Sequence, residues 1–204
     1  MSGSAERVVY VVDEDSTDRR PLERLLKGVG FRASFYATPS AFLDAAADLP
    51  AGCALLATRI QGMDGLELQQ RLLKMKVWLP VIIAGAHADM KSAVRAMKAG
   101  AVDFIEKPYL DEALIDALEA AMAQTNRRKE IAEAARRVTR LSPREREVLD
   151  ALAQGHPNKV IAYDLGISQR TVEVHRARMM DRLAVRQFAE AIRLAALAGL
   201  AEGK

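Results

Sequence analysis

Apolar and polar positions alternate in two different rhythms along the chain. Val8–Val12 is an apolar run without alternation, the pattern of a strand buried on both faces. Asp18–Lys27 then places Leu22, Leu25 and Leu26 at helical spacing, with Gly28 and Gly30 as stop signals. Ala33–Tyr36 predicts a second strand. Pro39–Asp48 predicts a helix, with Thr38 as N-cap and Pro39 at its first position. Cys53–Ala57 is a third strand. Gly65–Lys74 is a helix carrying Leu66, Leu68, Leu72 and Leu73. Pro80–Ala84 is a fourth strand, Asp89–Ala99 a helix closed by Gly100, and Val102–Ile105 a fifth strand.

Strands alternating with helices in this way predict an α/β domain: a doubly wound five-stranded parallel sheet with helices on both faces. Ligands of such sheets bind beyond the carboxyl ends of the strands. Those ends bring together Asp13, Glu14, Asp15, Ala57, Gly85 and Lys107. From Asp111 to about Arg137 nearly every residue is a helix former, and Leu114, Leu118, Ala121 and Met122 share one apolar face. This predicts a fifth helix running into a partly helical linker, with Thr125–Asn126 as a candidate interruption.

After Leu141 the pattern is helical only. Ser142-Pro143-Arg144-Glu145 has a capping serine, a proline at the first helical position and a glutamate three residues after the serine. That helix should end by Gly155. Asn158–Leu165, Gln169–Leu183 and Gln187–Ala198 follow, the second of them capped by Ser168. The expected division is 1–122, a linker at 123–139, and an all-α four-helix domain at 140–204. Leu165-Gly166-Ile167-Ser168 joins a short helix to a longer one, the geometry of a helix-turn-helix. Its expected core is Val160, Ile161, Leu165, Ile167 and Val172. The longer helix is expected to expose Arg170, Thr171, Val174, His175 and Arg178, an arc that suits a major groove.

Charge sharpens this division. Residues 1–124 hold 14 Lys/Arg and 17 Asp/Glu, a net of −3, whereas residues 125–204 hold 16 and 10, a net of +6. A polyanion therefore suits only the second part. One cysteine, Cys53, excludes an internal disulfide framework and fits a reducing cytoplasm; its place in an apolar run reads as a buried thiol. No apolar run is long enough to span a bilayer, and Met1–Arg7 lacks the apolar stretch of a signal peptide, so a cytoplasmic protein without a membrane partner is expected.

The segment from Leu141 to Val185 resembles the LuxR-type helix-turn-helix at the C-terminus of NarL/FixJ-type response regulators. The resemblance rests on Leu141-Ser142-Pro143-Arg144-Glu145, Asn158-Lys159, Ile161-Ala162, Leu165-Gly166-Ile167-Ser168 and Thr171-Val172-Glu173-Val174-His175. It implies binding to double-stranded DNA. Thr171–Arg178 would be the recognition helix, with Lys159, His175 and Arg178 on phosphates and Glu173, Val174 and Arg176 on base edges or in local packing. It also implies a homodimer, with the Ala-rich fourth helix either pairing two subunits or covering its own core.

Residues 7–122 resemble the receiver domain of the same family, a flavodoxin-like fold. The resemblance rests on AVRAMKAGAVDFIEKPY at 93–109, on Val11-Val12-Asp13-Glu14-Asp15 and on Met63-Asp64-Gly65-Leu66-Glu67. Such a domain implies phosphoryl transfer from a sensor kinase or other signalling partner to an aspartate, with magnesium, a lysine and a hydroxyl holding the phosphoryl group. Carried onto this chain, the metal ligands are Asp13 and Glu14, the lysine is Lys107 and the aromatic switch is Phe104. The acceptor position holds Ala57, the hydroxyl position Gly85, and the usual proline of the following loop is Gln61. An engineered Asp-to-Ala change that silences an ordinary phosphorylation-driven switch would explain Ala57 alone. Three departures in one site favour a natural receiver that no longer uses phosphate.

These features predict a DNA-binding transcriptional regulator, not an enzyme, with a degenerate receiver, no cofactor, and magnesium binding weak or absent. Control would then come from dimerisation, a partner or a ligand. An adaptor that sequesters another signalling protein is the alternative. Lys107 is expected to pair with Asp13 or Glu14. Ala57 and Gly85 are expected to leave space for water or a small ligand.

Overall fold

The computed structural model describes residues 6–15, 17, 19–86 and 90–200. It contains two compact units, Met1–Asn126 and Arg127–Lys204. The first carries strands β1 (Val8–Val12), β2 (Arg32–Tyr36), β3 (Cys53–Ala57), β4 (Arg59–Ile60), β5 (Met63–Asp64), β6 (Val81–Ala86) and β7 (Asp103–Lys107). Helices α1 (Arg19–Gly28), α2 (Pro39–Ala46), α3 (Gly65–Lys74) and α4 (Met90–Lys98) connect them, and α5 (Asp111–Val138) follows. The expected helix starts at Asp18 and Asp89 lie outside the described residues.

The main sheet is fully parallel in the order β2-β1-β3-β6-β7. All five residues of β1 and of β3 are buried, which explains their unbroken apolar runs. On one face, Val8, Tyr10, Val12 and Leu56 pack with Phe42 of α2, Leu68 and Leu72 of α3 and Ala96 of α4. On the other, Val9, Val11, Leu55 and Ile82 pack with Leu22 and Leu26 of α1 and Leu114 and Leu118 of α5. Burial pushes the Cys53 thiol up to about 12, so it remains protonated at neutral pH. A short antiparallel ladder, Arg59↔Asp64 and Ile60↔Met63, was not foreseen; Gly62 turns it at φ +86.

The expected break at Thr125–Asn126 is absent, and α5 is one continuous helix of 28 residues. Thr125 is buried, and its hydroxyl lies within hydrogen-bonding distance of the carbonyls of Ala121 in the preceding turn, at 3.2 Å, and of Gly52, at 3.0 Å. A residue with modest helix propensity is thereby held in helix by packing and hydrogen bonding. Farther along, Ala134 and Val138 are buried in the core of the second unit. The boundary between the two units, at Asn126–Arg127, falls within this helix.

The second unit adds α6 (Pro143–Ala153), α7 (Asn158–Asp164), α8 (Gln169–Arg182) and α9 (Phe188–Leu197). Val148, Leu149, Ile161, Val172, Met179, Leu183 and Leu194 fill its centre. Leu165 and Ile167 pack at the margin, but Val160, expected in this core, is 40% exposed. Helix α7 is short, and its Ile161 and Ala162 already occupy the inward positions, leaving Val160 on the outer side. Gly166, at φ +64, ends α7 and lets the Ile167 N–H reach the Ala162 carbonyl at 2.9 Å.

A capping box starts α6: Ser142 Oγ accepts from the Glu145 N–H and Glu145 Oε2 accepts from the Ser142 N–H. Arg182 of α8 pairs with the same carboxylate at 3.1 Å. Burial opposes the charge of Glu145, but the Ser142 hydrogen bonds and the nearby Arg182 and His175 outweigh it, holding the carboxyl below its ordinary value. A carboxyl lowered on folding stabilises the protein above its unfolded pKa and loses that contribution as pH falls through the folded value. Glu145→Gln should cost about 1–3 kcal/mol at neutral pH, the scale of hydrogen bonds to a charged group. Urea unfolding of both proteins across pH should show the difference shrinking in acid, below the ordinary glutamate value of 4.5.

Candidate functional sites: the carboxyl end of the sheet and the recognition helix

The strand ends bring Asp13, Ala57, Gly85 and Lys107 together. Asp13 leaves β1 and Lys107 ends β7, and their side chains form an ion pair. The other Asp13 oxygen accepts the Asp15 N–H at 3.0 Å. Glu14 Oε2 accepts the Gln61 N–H at 3.0 Å, from the turn of the β4–β5 ladder. Asp15 accepts from the Thr17 hydroxyl and N–H, and these bonds hold its carboxyl below the ordinary range.

Every acidic side chain of the cluster is thus engaged by a donor of this chain. A magnesium ion is commonly held through one or two carboxylates, with waters completing its shell. Ala57 supplies none, Asp13 is shared with Lys107 and Glu14 with Gln61. Among the described residues no three His, Cys, Asp or Glu side chains converge as metal ligands. A magnesium ion held here would have to share Asp13 with Lys107 and Glu14 with the Gln61 N–H.

Arg19, in the first turn of α1, also reaches this end. Its Nη2 donates to the Asp13 carbonyl at 3.3 Å, its guanidinium lies 5.8 Å from the centre of the Phe35 ring, and its buried Nε has no partner. The sequence reading missed Arg19. The available signal was its position one helical turn after an acidic strand end.

The space expected over Ala57 and Gly85 is largely filled. The cavity bounded by Ala57, Asp13, Arg19, Phe35 and Lys107 is about 10 Å³, at most one water. Over Gly85, an added Cβ would lie 2.6 Å from Thr58 Cγ2, 2.8 Å from Thr58 Oγ1 and 3.3 Å from the tip of the Phe104 ring. Thr58 points away from the acceptor side, as alternation requires, and there it takes the room of the missing side chain. This corrects the expectation of an open ligand space at these two positions.

In the second unit, α8 presents Arg170, Glu173, Val174, Ala177 and Arg178 to solvent along one stripe, and Val174 is 42% exposed. Lys159 of α7 is also exposed. Three residues expected on this surface are turned partly inward. Thr171 hydrogen-bonds to the capping Ser168, hydroxyl to hydroxyl at 2.9 Å and N–H to Oγ at 3.1 Å. His175 is half-buried, with Nδ1 enclosed and unpartnered. Arg176 stacks over the Phe188 ring at 4.4 Å, which favours local packing over base contact. Ala177, on the stripe, was overlooked. Helix α9 buries Ala191, Leu194 and Ala195 in its own core.

The Gly85 contact gives a direct test. Threonine fills two of its three staggered γ positions in any rotamer, so no rotation clears both atoms facing Gly85. Gly85→Ala should cost about 1–3 kcal/mol by overpacking. Thr58→Ala in the same chain should recover most of that loss, read as a non-additive double-mutant cycle by urea unfolding.

Comparison with known proteins places this geometry. A family model described as response regulator receiver domain matches residues 9–119, and one described as bacterial regulatory proteins, luxR family, matches residues 139–195. Transcriptional regulatory protein FixJ of Azorhizobium caulinodans is 42% identical over 197 residues, covering 95% of this chain and 93% of its own. Its counterpart from Rhizobium meliloti is 40% identical, covering 94% and 96%. The solved response regulator StyR superposes with a TM-score of 0.70 at 37% identity, covering 94% of this chain and 99% of that one. Full-length FixJ from B. japonicum superposes at 0.61 with 40% identity, covering 97% and 99%. The chain belongs to the NarL/FixJ family of response regulators, a receiver domain followed by a LuxR-type helix-turn-helix that binds DNA to regulate transcription.

Proposed function

We propose that this regulator works in the cytoplasm as a homodimer on double-stranded DNA, with a receiver that is set without aspartyl phosphate. The observation that carries this reading is Ala57 at the carboxyl end of β3, facing a Lys107 already neutralised by Asp13. Alanine offers no nucleophile, Gly85 offers no hydroxyl, and the acidic side chains that would hold magnesium are engaged by Lys107 and Gln61. The receiver then serves as a surface for dimerisation, a signalling partner or a small ligand, and carries out no phosphoryl chemistry of its own.

Acetyl phosphate, or beryllofluoride with magnesium, should change neither oligomeric state nor DNA affinity of the full chain, measured by light scattering and anisotropy. Stable labelling of a defined residue would overturn this. Ala57→Asp alone should recover phosphorylation poorly. Gly85→Thr added to it should help only when Thr58 is also trimmed to alanine, because the restored side chain meets Thr58.

On DNA, Arg178 and Lys159 act on phosphates and Val174 and Glu173 on base edges, with Arg170 at the start of the same stripe. His175, with its enclosed Nδ1, and Thr171, bonded to Ser168, set the position of the helix. Arg178→Ala should weaken binding to selected and random duplexes alike and flatten the salt slope by about one unit. Val174→Ala should instead shift preference among sequences, by about 1–3 kcal/mol at one base pair. A salt titration of both variants checks the two outcomes together; a relaxed specificity with unchanged slope for Arg178→Ala would reverse the assignment.

A further inference from the structure

Two helices on the same face of the receiver sheet carry opposite charges at matching positions. Helices α1 and α5 both begin beyond the carboxyl ends of parallel strands and run back along that face. Each buries the fourth and eighth of its residues there: Leu22 and Leu26 from α1, Leu114 and Leu118 from α5. The two helices therefore turn the same wheel positions to solvent. At the second, sixth and ninth of these positions α1 has Arg20, Arg24 and Lys27, whereas α5 has Glu112, Asp116 and Glu119. All six residues are exposed.

Most of these charges are unpaired within the chain. Among the described residues Arg20, Arg24, Lys27, Glu112 and Asp116 form no ion pair, and Glu119, which takes Arg7, keeps a half-exposed side chain. Arg20 with Arg24, and Glu112 with Asp116, are like charges four residues apart, an arrangement that weakens a helix until opposite charge is brought to it. Asp111–Asn126 contains no lysine or arginine that could supply it. Glu23, the one acidic residue of α1, lies on the flank opposite Pro21 and Leu25. Those two residues form one wall of a groove between the helices, and Pro108 and Tyr109 form the other.

We propose that the receivers of two copies of this chain meet on this face, with α1 of each laid along α5 of the other. The proposal rests on the homodimer reading above and gives it a surface. A two-fold axis between the helices and parallel to them stacks α1 on the second copy's α5 at equal height. Arg20 then meets Glu112 of the second copy, Arg24 meets Asp116 and Lys27 meets Glu119, and each pair forms twice. The apolar groove faces its own copy across the axis. An axis perpendicular to the helices would instead lay α1 on α1 and set like charges together, so charge selects the first arrangement. An acidic partner would match α1 alone and a basic one α5 alone, whereas a second copy matches both stripes at once. A single exposed ion pair is weak, so the repeated pairs fix orientation and register more than strength.

Sedimentation equilibrium of the full-length protein, without DNA or phosphodonor and at about 50 mM salt to limit screening, tests this. Arg24→Glu and Asp116→Arg should each raise the dimer dissociation constant about tenfold, because each sets like charges against one another twice. Mixed in equal amounts, the two variants should associate nearly as tightly as the wild type, since each supplies the charge that the other has reversed. The double variant should do so alone. Salt at about 0.5 M should weaken the wild type and narrow the difference from the single variants. A wild-type dimer that neither substitution weakens overturns this surface and assigns its charges to a different protein, while the homodimer reading stands. Single variants whose mixture stays as weak as either alone overturn the α1-on-α5 arrangement. A wild-type chain that remains monomeric overturns the surface and the homodimer together.

Discussion

Both faces of the central strands are covered by helices, and this burial governs where polar chemistry can stand in the receiver. With β1 and β3 buried along their whole length, a polar group midway along them must find a partner inside the protein, as the Tyr10 hydroxyl does by donating to the Pro50 carbonyl at 2.6 Å. Polar residues are displaced to the strand ends. The carboxyl ends hold Asp13 and Lys107. The same constraint makes the ion pair at the carboxyl end consequential. With alanine at position 57, the half-buried Lys107 takes its partner from the end of β1, where Asp13 provides it.

The second unit follows a different rule. Its helices are short, and what orients α8 is a small set of directional contacts around a shared core. Glu145 joins the start of α6 to Arg182 of α8, Ser168 caps α8 through Thr171, and Arg176 leans on Phe188 of α9. These contacts use up side chains that a helical wheel would assign to solvent. They leave Arg170, Val174 and Arg178, spaced by about one turn each, as the continuous outward stripe.

Much of this was legible in the residues. Apolar runs located the central strands β1, β3 and β6, because burial on both faces leaves an unbroken signature, whereas the half-buried edge strands β2 and β7 were placed only to within one or two residues of their ends. Caps and glycines located the helix ends, Thr38 and Ser142 among them. What was not legible depended on partners distant in sequence. The Gly52 carbonyl holds Thr125 in helix, 73 residues away, and periodicity carries no record of it. The closeness of Thr58 to Gly85 arises only when β3 and β6 lie side by side, and neither residue signals it alone. Arg19 and the inward tilt of His175 likewise emerged only when elements far apart in the chain were brought together.

The contact between Thr58 and Gly85 also makes the two positions a single unit under substitution. A side chain introduced at position 85 meets Thr58 Cγ2 and Oγ1 at once, so it is tolerated only together with a smaller residue at 58. The end of β6 is in this sense conditional on the residue that follows β3: what one strand can carry there is set by its neighbour.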